Sequence, residues 1–384
     1  MKSDGAGRRV LEVAGLFLKL GAISFGGPAA HVALMDQEVV SKRGWLARDH
    51  FLDLLAATNL VPGPNAVEMA SQIGFVHAGW PGLVVGGVAF IIPAFLISLG
   101  LAWAYMRFGT LPPVAALFYG INPVVLAIVL AATYRLGRTA LRDKRAVALA
   151  VVCLTAALLG ANEILVLLAA GAAGILLYSP LRRPRLTGLV LSWAPWTTTL
   201  PLLAALSEER LVRLGLFFLK TGAVLFGSGM VLFALIQHDV VTGYGWLTAQ
   251  QFLDAIVVGQ MTPGPVLSSA TFIRYLVEGL PGAIVATVAV FLPSFVIVAL
   301  IGPWIGRLRR SRVAQAFLRA VNAAVVALIV AVAVALFRSA IVDVWTAAIL
   351  LVSLAASLGF RVDAVWLVLG GAACGLVHYL IVAP

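Results

Sequence analysis

The sequence predicts an all-α, polytopic integral membrane protein built from two homologous halves. Three observations carry this: an apolar composition that falls in long runs, an internal duplication, and the placement of the basic residues. Of 384 residues, 62% are hydrophobic and only 11% are charged. Soluble domains carry about 25% charged residues, so there is too little polar surface here to coat a particle in water. Pro81–Met106 and Gly279–Gly306 contain no Asp, Glu, Lys, Arg or His. Each exceeds the roughly 20 apolar residues needed to cross a bilayer. A backbone in lipid must satisfy its own hydrogen bonds, so these runs are helices. The net charge of +11 does not imply nucleic-acid binding, because the basic residues gather in short loops between apolar runs, as cytoplasmic loops do. Cys153 and Cys374 lie in apolar segments and offer neither a disulfide framework nor a metal-ligand spacing. No signal peptide is expected, because the apolar stretch behind the basic start is broken by Lys19 and by Gly26-Gly27-Pro28.

The duplication fixes the architecture. Phe17–Ala22 recurs as Phe218–Ala223, 201 residues on, and at the same offset Phe25-Gly26 matches Phe226-Gly227. Gly44-Trp45-Leu46 matches Gly245-Trp246-Leu247, Phe51-Leu52-Asp53 matches Phe252-Leu253-Asp254, and Pro62-Gly63-Pro64 matches Pro263-Gly264-Pro265. One residue is then lost, and at an offset of 200 Pro81-Gly82, Pro93, Asn122 and Arg138 match Pro281-Gly282, Pro293, Asn322 and Arg338. The expected division is a first half over 1–185, an apolar linker over 186–207 and a second half over 208–384.

Each half reads in the same order. A helix ends at small residues (Gly26-Gly27; Gly227-Ser228-Gly229), a second helix leads to Gly-Trp, and a third is broken by Pro-Gly-Pro. Four apolar segments follow, at 81–106, 113–134, 146–162 and 164–181, then at 280–306, 313–338, 344–360 and 362–382. The basic loop follows the second segment in half one (Arg135, Arg138, Arg142, Lys144, Arg145) but the first in half two (Arg307, Arg309, Arg310, Arg312). If both loops are cytoplasmic, equivalent segments cross in opposite directions, which is an inverted-topology repeat.

The candidate site residues sit at the breaks. Proline lacks an N–H and glycine loosens the backbone, and such irregular backbone persists at membrane depth only where it is buried in protein or lines a cavity. Helices restarting at Asn65 and Val266, and after Gly27, would aim N-termini at that cavity, and helix N-termini bind oxyanions. Pro62, Gly63, Pro64, Asn65, Pro263, Gly264 and Pro265, with Gly26, Gly27, Gly227 and Ser228, are therefore candidate substrate-binding residues. Lys19 and Lys220 occupy equivalent places in apolar helices, where they either serve an anion path or snorkel to the interface. Asn122 and Asn322 are paired amides that need a partner, either another helix or a substrate. Asp53 and Asp254 precede the broken helices and suit capping, pairing or proton transfer. Glu68 has Ser269 as its counterpart, and Arg274 has no charged counterpart. Such asymmetry suits coupling, which makes Glu68 a coupling candidate; Asp53 and Asp254 are coupling candidates as the repeated pair that could carry protons. His31 is replaced by Leu232 and reads as structural. No Walker A loop, His-Glu-x-x-His or Gly-x-Ser-x-Gly is present, so neither an enzyme, nor a metal, nor a cofactor is expected.

These residues resemble the chromate ion transporter family in its long-chain, two-domain form. The resemblance rests on Phe25-Gly26-Gly27-Pro28-Ala29-Ala30-His31, Gly44-Trp45-Leu46, Phe51, Pro62-Gly63-Pro64-Asn65, Gly79 with Pro81-Gly82, Phe90 and Pro93. A weaker set recurs in half two: Phe226-Gly227-Ser228-Gly229, Trp246, Phe252, Thr262-Pro263-Gly264-Pro265 and Pro293. The resemblance implies a bacterial inner-membrane exporter of chromate, driven by the proton-motive force or by anion exchange. Sulfate has the same tetrahedral, doubly charged form, so a carrier of sulfate or another oxyanion is the alternative; a passive anion channel and an intramembrane enzyme on lipid-linked substrates are the readings from other classes. The expected partners are the oxyanion, the bilayer and, in a homodimer, a second copy.

Overall fold

The computed structural model describes residues 3–25, 27–58, 62–179, 210–226, 229–301, 311–360 and 362–382. Gly26, Gly227, Ser228, Arg307, Arg309, Arg310 and the expected linker at 186–207 lie outside the described residues. Each half opens on a helix with one apolar stripe. In α1 (Ser3–Ile23) the stripe is Val13, Leu16, Phe17 and Leu20; in α8 (Arg210–Ala223) it is Leu214, Phe217, Phe218 and Thr221, and all eight residues are buried. The spacing i, i+3, i+4, i+7 puts each set on one helix face.

After the break, α2 (Pro28–Met35) starts with a proline at its first turn, where the missing N–H costs nothing, and runs on as a π-helix over Asp36–Lys42. Its counterpart α9 (Met230–Gln237) runs on in the same way over His238–Gly243. Gly44 and Gly245, both at φ +60, turn the chain into Trp45 and Trp246. Next come α3 (Arg48–Thr58) and α10 (Ala249–Met261). α10 is started by a capping box between Thr248 and Gln251. These helices end at Thr58 and Met261, ahead of the Pro-Gly-Pro motifs, and the chain restarts where the sequence places it. α4 (Asn65–Phe108) begins at Asn65, and a 3-10 turn over Val266–Ser268 opens α11 (Ser269–Ile301).

α4 and α11 each contain a feature that the sequence reading does not anticipate. Ala78 and Gly79 leave helical geometry, with Gly79 at φ +65, and Gly279 does the same at φ +62. The chain doubles back there. A Cβ on Gly74 would lie 2.0 Å from the Gly82 carbonyl oxygen, and one on Gly86 would lie 2.5 Å from that of Ala70. Thr271 hydrogen-bonds Thr287 across the second hairpin at 2.7 Å. The first arm, 65–78, is about 20 Å long at 1.5 Å per residue, too short for a hydrocarbon core of about 30 Å. It is a half-helix that enters and returns, while 80–108 is long enough to cross.

Then follow α5 (Pro112–Ala140), α6 (Lys144–Leu158), α7 (Glu163–Tyr178), α12 (Arg312–Ala340), α13 (Val344–Gly359) and α14 (Ala364–Val382). All lie close to the expected segments. The halves interlock: α5 packs on α13 and α14 of the other half, and α12 packs on α6 and α7. α5 and α12 also pack on each other and run antiparallel. Tyr119, near the start of α5, donates to Asp343 beyond the end of α12 at 2.5 Å, and its equivalent Arg319, near the start of α12, donates to Asp143 beyond the end of α5 at 2.5 Å. His378 stacks on Tyr119 as Tyr178 lies under Arg319. No described residue is in a strand. Helices 65–108, 112–140, 266–300, 312–340 and 364–381 are long and apolar enough to cross a membrane, so the protein is a multi-pass, two-halved helical membrane protein.

Candidate transport site

The two Pro-Gly-Pro loops cross between the halves. The Gly63 N–H donates to the Leu225 carbonyl at 2.6 Å, and the Gly264 N–H donates to the Ser24 carbonyl at 2.8 Å. These are equivalent bonds exchanged by equivalent residues, each joining one half's loop to the other half's break. Pro62, Gly63, Pro64, Asn65, Pro263, Gly264 and Pro265 are all buried, so the structure brings together the described parts of both breaks. The two glycine amides are engaged by carbonyls of the other half, and the Val67 and Glu68 amides by the Pro64 carbonyl. Gly27 caps α2 in an extended conformation.

The surroundings of the two loops differ. A Cβ on Gly63 would meet Glu68 Oε1 at 2.1 Å and Ser294 Oγ at 2.6 Å, whereas one on Gly264 would meet Ala94 Cβ and the Gly21 carbonyl oxygen, each at 3.1 Å. Ser294 and Ala94 are equivalent positions, as are Glu68 and Ser269. Glu68, Ser71 and Gln72 form one stripe on the first turns of α4, at i, i+3 and i+4. All three are buried, and none of their side-chain oxygens or nitrogens, nor Ser294 Oγ, has a hydrogen-bond partner among the described residues. Buried polar groups are nearly always satisfied, and an ionised carboxylate in such a place must be matched by a proton or a cation. This stripe brings a buried carboxyl, a hydroxyl and an amide together beside the Gly63 loop. Ser294 also breaks the repeat, but a serine in an apolar run is too ordinary to be singled out from sequence.

Asp254 and Asn122 meet across the halves. Asp254 is 3% exposed and accepts from the Tyr105 hydroxyl at 2.6 Å, from Gln250 at 3.0 Å and from Asn122. Their counterparts Asp53 and Asn322 are both exposed. Of the two fates open to a repeated amide, Asn122 takes the other helix. Tyr105, missed in the sequence, was legible only as one of two hydroxyls, with Ser98, in an apolar run.

The lysines lie apart from the loops. Lys19 is half-exposed and donates to Glu38 Oε1 at 2.9 Å, as does Lys42, while Arg43 lies 3.7 Å from Glu38 Oε2. Lys220 faces Asp239, the equivalent of Glu38, and Glu163. The repeated acidic pair at 38 and 239 was readable in the sequence. Arg274 lies 3.8 Å over Trp246, which Tyr244 flanks at 4.3 Å; Trp45 stands likewise between His77 at 3.8 Å and Arg43 at 5.4 Å. The Gly-Trp motifs are thus aromatic platforms that each hold a basic side chain. His31 is buried, with its ring edge-on to Phe90.

Comparison with known proteins finds the same duplication of the chain. The family profile described as "Chromate transporter" matches twice, over residues 11–175 and 212–376. The chain is 35% identical over 371 residues to the chromate transport protein of Cupriavidus metallidurans, covering 94% of this chain and 92% of that one. It is 33% identical over 350 residues to the probable chromate transport protein of Synechococcus elongatus, covering 89% and 88%. With the chromate transport protein of Pseudomonas aeruginosa it shares 32% identity over 327 residues, covering 82% and 77%. No solved structure matches. Members of this family are transporters, which bears out the expectation of a transporter over an enzyme. A chain that matches the profile once in each half, and its relatives from end to end, belongs to the chromate transporter family.

Proposed function

We propose that this protein carries chromate, or a tetrahedral dianion of the same shape, outward across the bacterial cytoplasmic membrane past the crossed Pro-Gly-Pro loops. The reciprocal Gly63–Leu225 and Gly264–Ser24 bonds are the observation that carries the reading, because they tie two interrupted helices into one central junction, the arrangement in which discontinuous helices bind substrate. The relatives' names supply chromate; the helix N-termini supply only the preference for an oxyanion. The antiparallel α5 and α12 support an inverted-topology repeat. Their pairing also puts the α5–α6 loop, with Arg142, Lys144 and Arg145, at the same end as the start of α12, with Arg312. That end is the cytoplasmic one under the positive-inside rule.

Coupling falls to Glu68. A unit charge 4 Å from a carboxylate in a protein interior is repelled by about 4 kcal/mol at an effective dielectric constant of 20, and a dianion by about twice that. Anion at the loop and negative charge on Glu68 therefore exclude each other, and a proton on Glu68 resolves the conflict. The test is flux of labelled chromate and labelled sulfate into proteoliposomes, with and without an imposed pH gradient. Wild-type protein should carry chromate and respond to the gradient, and Glu68→Gln should carry chromate but lose the response. Gradient-sensitive flux in Glu68→Gln would remove Glu68 from coupling. Sulfate carried in preference to chromate would replace the substrate, and flux of neither would overturn the proposal.

A further inference from the structure

The two halves repeat each other in sequence but not in packing. In α9 and α10 every residue of Val231–Ile236 and Phe252–Gly259 is buried. These helices pack on α5 and α12 at the centre of the molecule. In the equivalent α2 and α3 only His31, Met35, Phe51, Ala57 and Thr58 are buried, and these helices pack chiefly on α4. The polar residues follow the helices. Asn122 is 4% exposed and bonded to Asp254, whereas Asn322, one turn into the buried stretch of α12, is exposed, as is Asp53. An exposed amide flanked by buried residues inside an apolar membrane helix belongs to a water-filled vestibule, since lipid offers it no partner.

We infer that α2–α3 and α9–α10 are a pair of mirror gates, that the Tyr105–Asp254–Asn122 cluster is the latch of the gate shut in this structure, and that Asp53 and Asn322 form the corresponding latch of the gate that stands open. Tyr105 lies one turn from the end of α4 at the α4–α5 loop, so the shut latch is at the end where Tyr119 meets Asp343. The open vestibule is then at the opposite end, where Arg319 meets Asp143 and the basic α5–α6 loop lies. The structure is open toward the basic-loop face. Closing α2–α3 against α5 and α12 as α9–α10 close now, with release of Asp254, gives the opposite state. A substrate at the crossed loops between the gates is thereby exposed to one face at a time, without a channel open to both.

The inference rests on the carrier reading with opposed halves, but its test needs no chromate, so its failure is separable from a failure of the substrate assignment. A single cysteine at Asn322→Cys, with Cys153 and Cys374 replaced by serine, is labelled with an impermeant maleimide in inside-out and right-side-out vesicles. Labelling is expected from the basic-loop face alone. Adding Tyr105→Phe, which removes only the hydroxyl, should slow that labelling roughly fivefold, because a hydrogen bond to a carboxylate no longer holds the far gate shut and the population shifts. The double variant Asp53→Cys/Asn322→Cys should cross-link with a short bismaleimide faster when Tyr105→Phe is present. An unreactive Asn322→Cys, labelling from the other face, or rates unmoved by Tyr105→Phe in both assays would each overturn the inference.

Discussion

Gly63 and Gly264 hold the same place in the repeat and make the same bond, yet substitution at each meets different groups. Gly63 sits at φ +151 with Glu68 and Ser294 against it; Gly264 sits at φ +87 with Ala94 against it. Leucine at either position forces the crossed loops apart, and chromate flux per reconstituted protein is expected to fall roughly a hundredfold, the loss that small misplacements in a site can cause. Alanine should separate the two, with Gly63→Ala the more damaging because its Cβ would lie on the Glu68 carboxylate. Wild-type flux in both leucine variants would reduce the motifs to packing kinks. Lys19 belongs to a different kind of site. Together with Lys42 and Arg43 it surrounds one carboxylate, Glu38, which leaves net positive charge around that partly exposed group. Lys19→Met is expected to raise the apparent Km for chromate several-fold, with a smaller effect on maximal rate, as rim charges govern approach more than turnover. Lys19→Arg should be tolerated. Unchanged Km in Lys19→Met and Lys220→Met would mean that both lysines only snorkel.

Among the helices, the ones that hold the halves together are α5 and α12, whose ends are fixed in each other's loops. Asp143 caps α6 by accepting from the Ala146 N–H at 2.7 Å, and it also accepts from Tyr178 at 2.9 Å and from Arg319. The Ala146 hydrogen bond, with these partners, holds its carboxyl below the ordinary value of 3.8. A carboxyl with a lowered folded-state pKa adds stability above its unfolded value and loses it as pH falls through the folded one. The melting temperature of detergent-solubilised protein should therefore drop between pH 5 and pH 3 more steeply in wild type than in Asp143→Asn. Parallel curves would show that this cap contributes nothing. At this scale the sequence was only partly legible. The Pro-Gly-Pro breaks, the helix starts at Asn65 and Val266 and the four following segments were all readable, because proline and glycine act locally. The return of α4 at Gly79 was not: a new apolar segment was expected from Pro81, but nothing local says that it folds back until Gly74 and Gly82 are seen to touch. Glu68 could be singled out because it breaks the repeat. Its neighbour Ser294 comes from the other half, and no local pattern announces a contact made by folding.

In the whole molecule the duplication does what neither half can do alone. Each half's break is completed by the other's loop, and α6–α7 and α13–α14 embrace the opposite half's central helix. Loop charge suggests opposed halves, and the Tyr119–Asp343 and Arg319–Asp143 pairs, which set α5 and α12 antiparallel, support the same proposal. The difference in packing between α2–α3 and α9–α10 lies where the repeat is loose: α3 opens on Arg48-Asp49-His50 where α10 has Ala249-Gln250-Gln251, and α2 has Ala30-His31 where α9 has Val231-Leu232. The central claim is that equivalent helices cross in opposite directions around one junction. The most direct measurement is sidedness of the two basic loops. Single cysteines at Arg142 and Arg312, in protein lacking Cys153 and Cys374, are challenged in intact cells with an impermeant thiol reagent. Both should resist the reagent until the membrane is permeabilised; labelling of one loop but not the other in intact cells would contradict the opposed-halves arrangement.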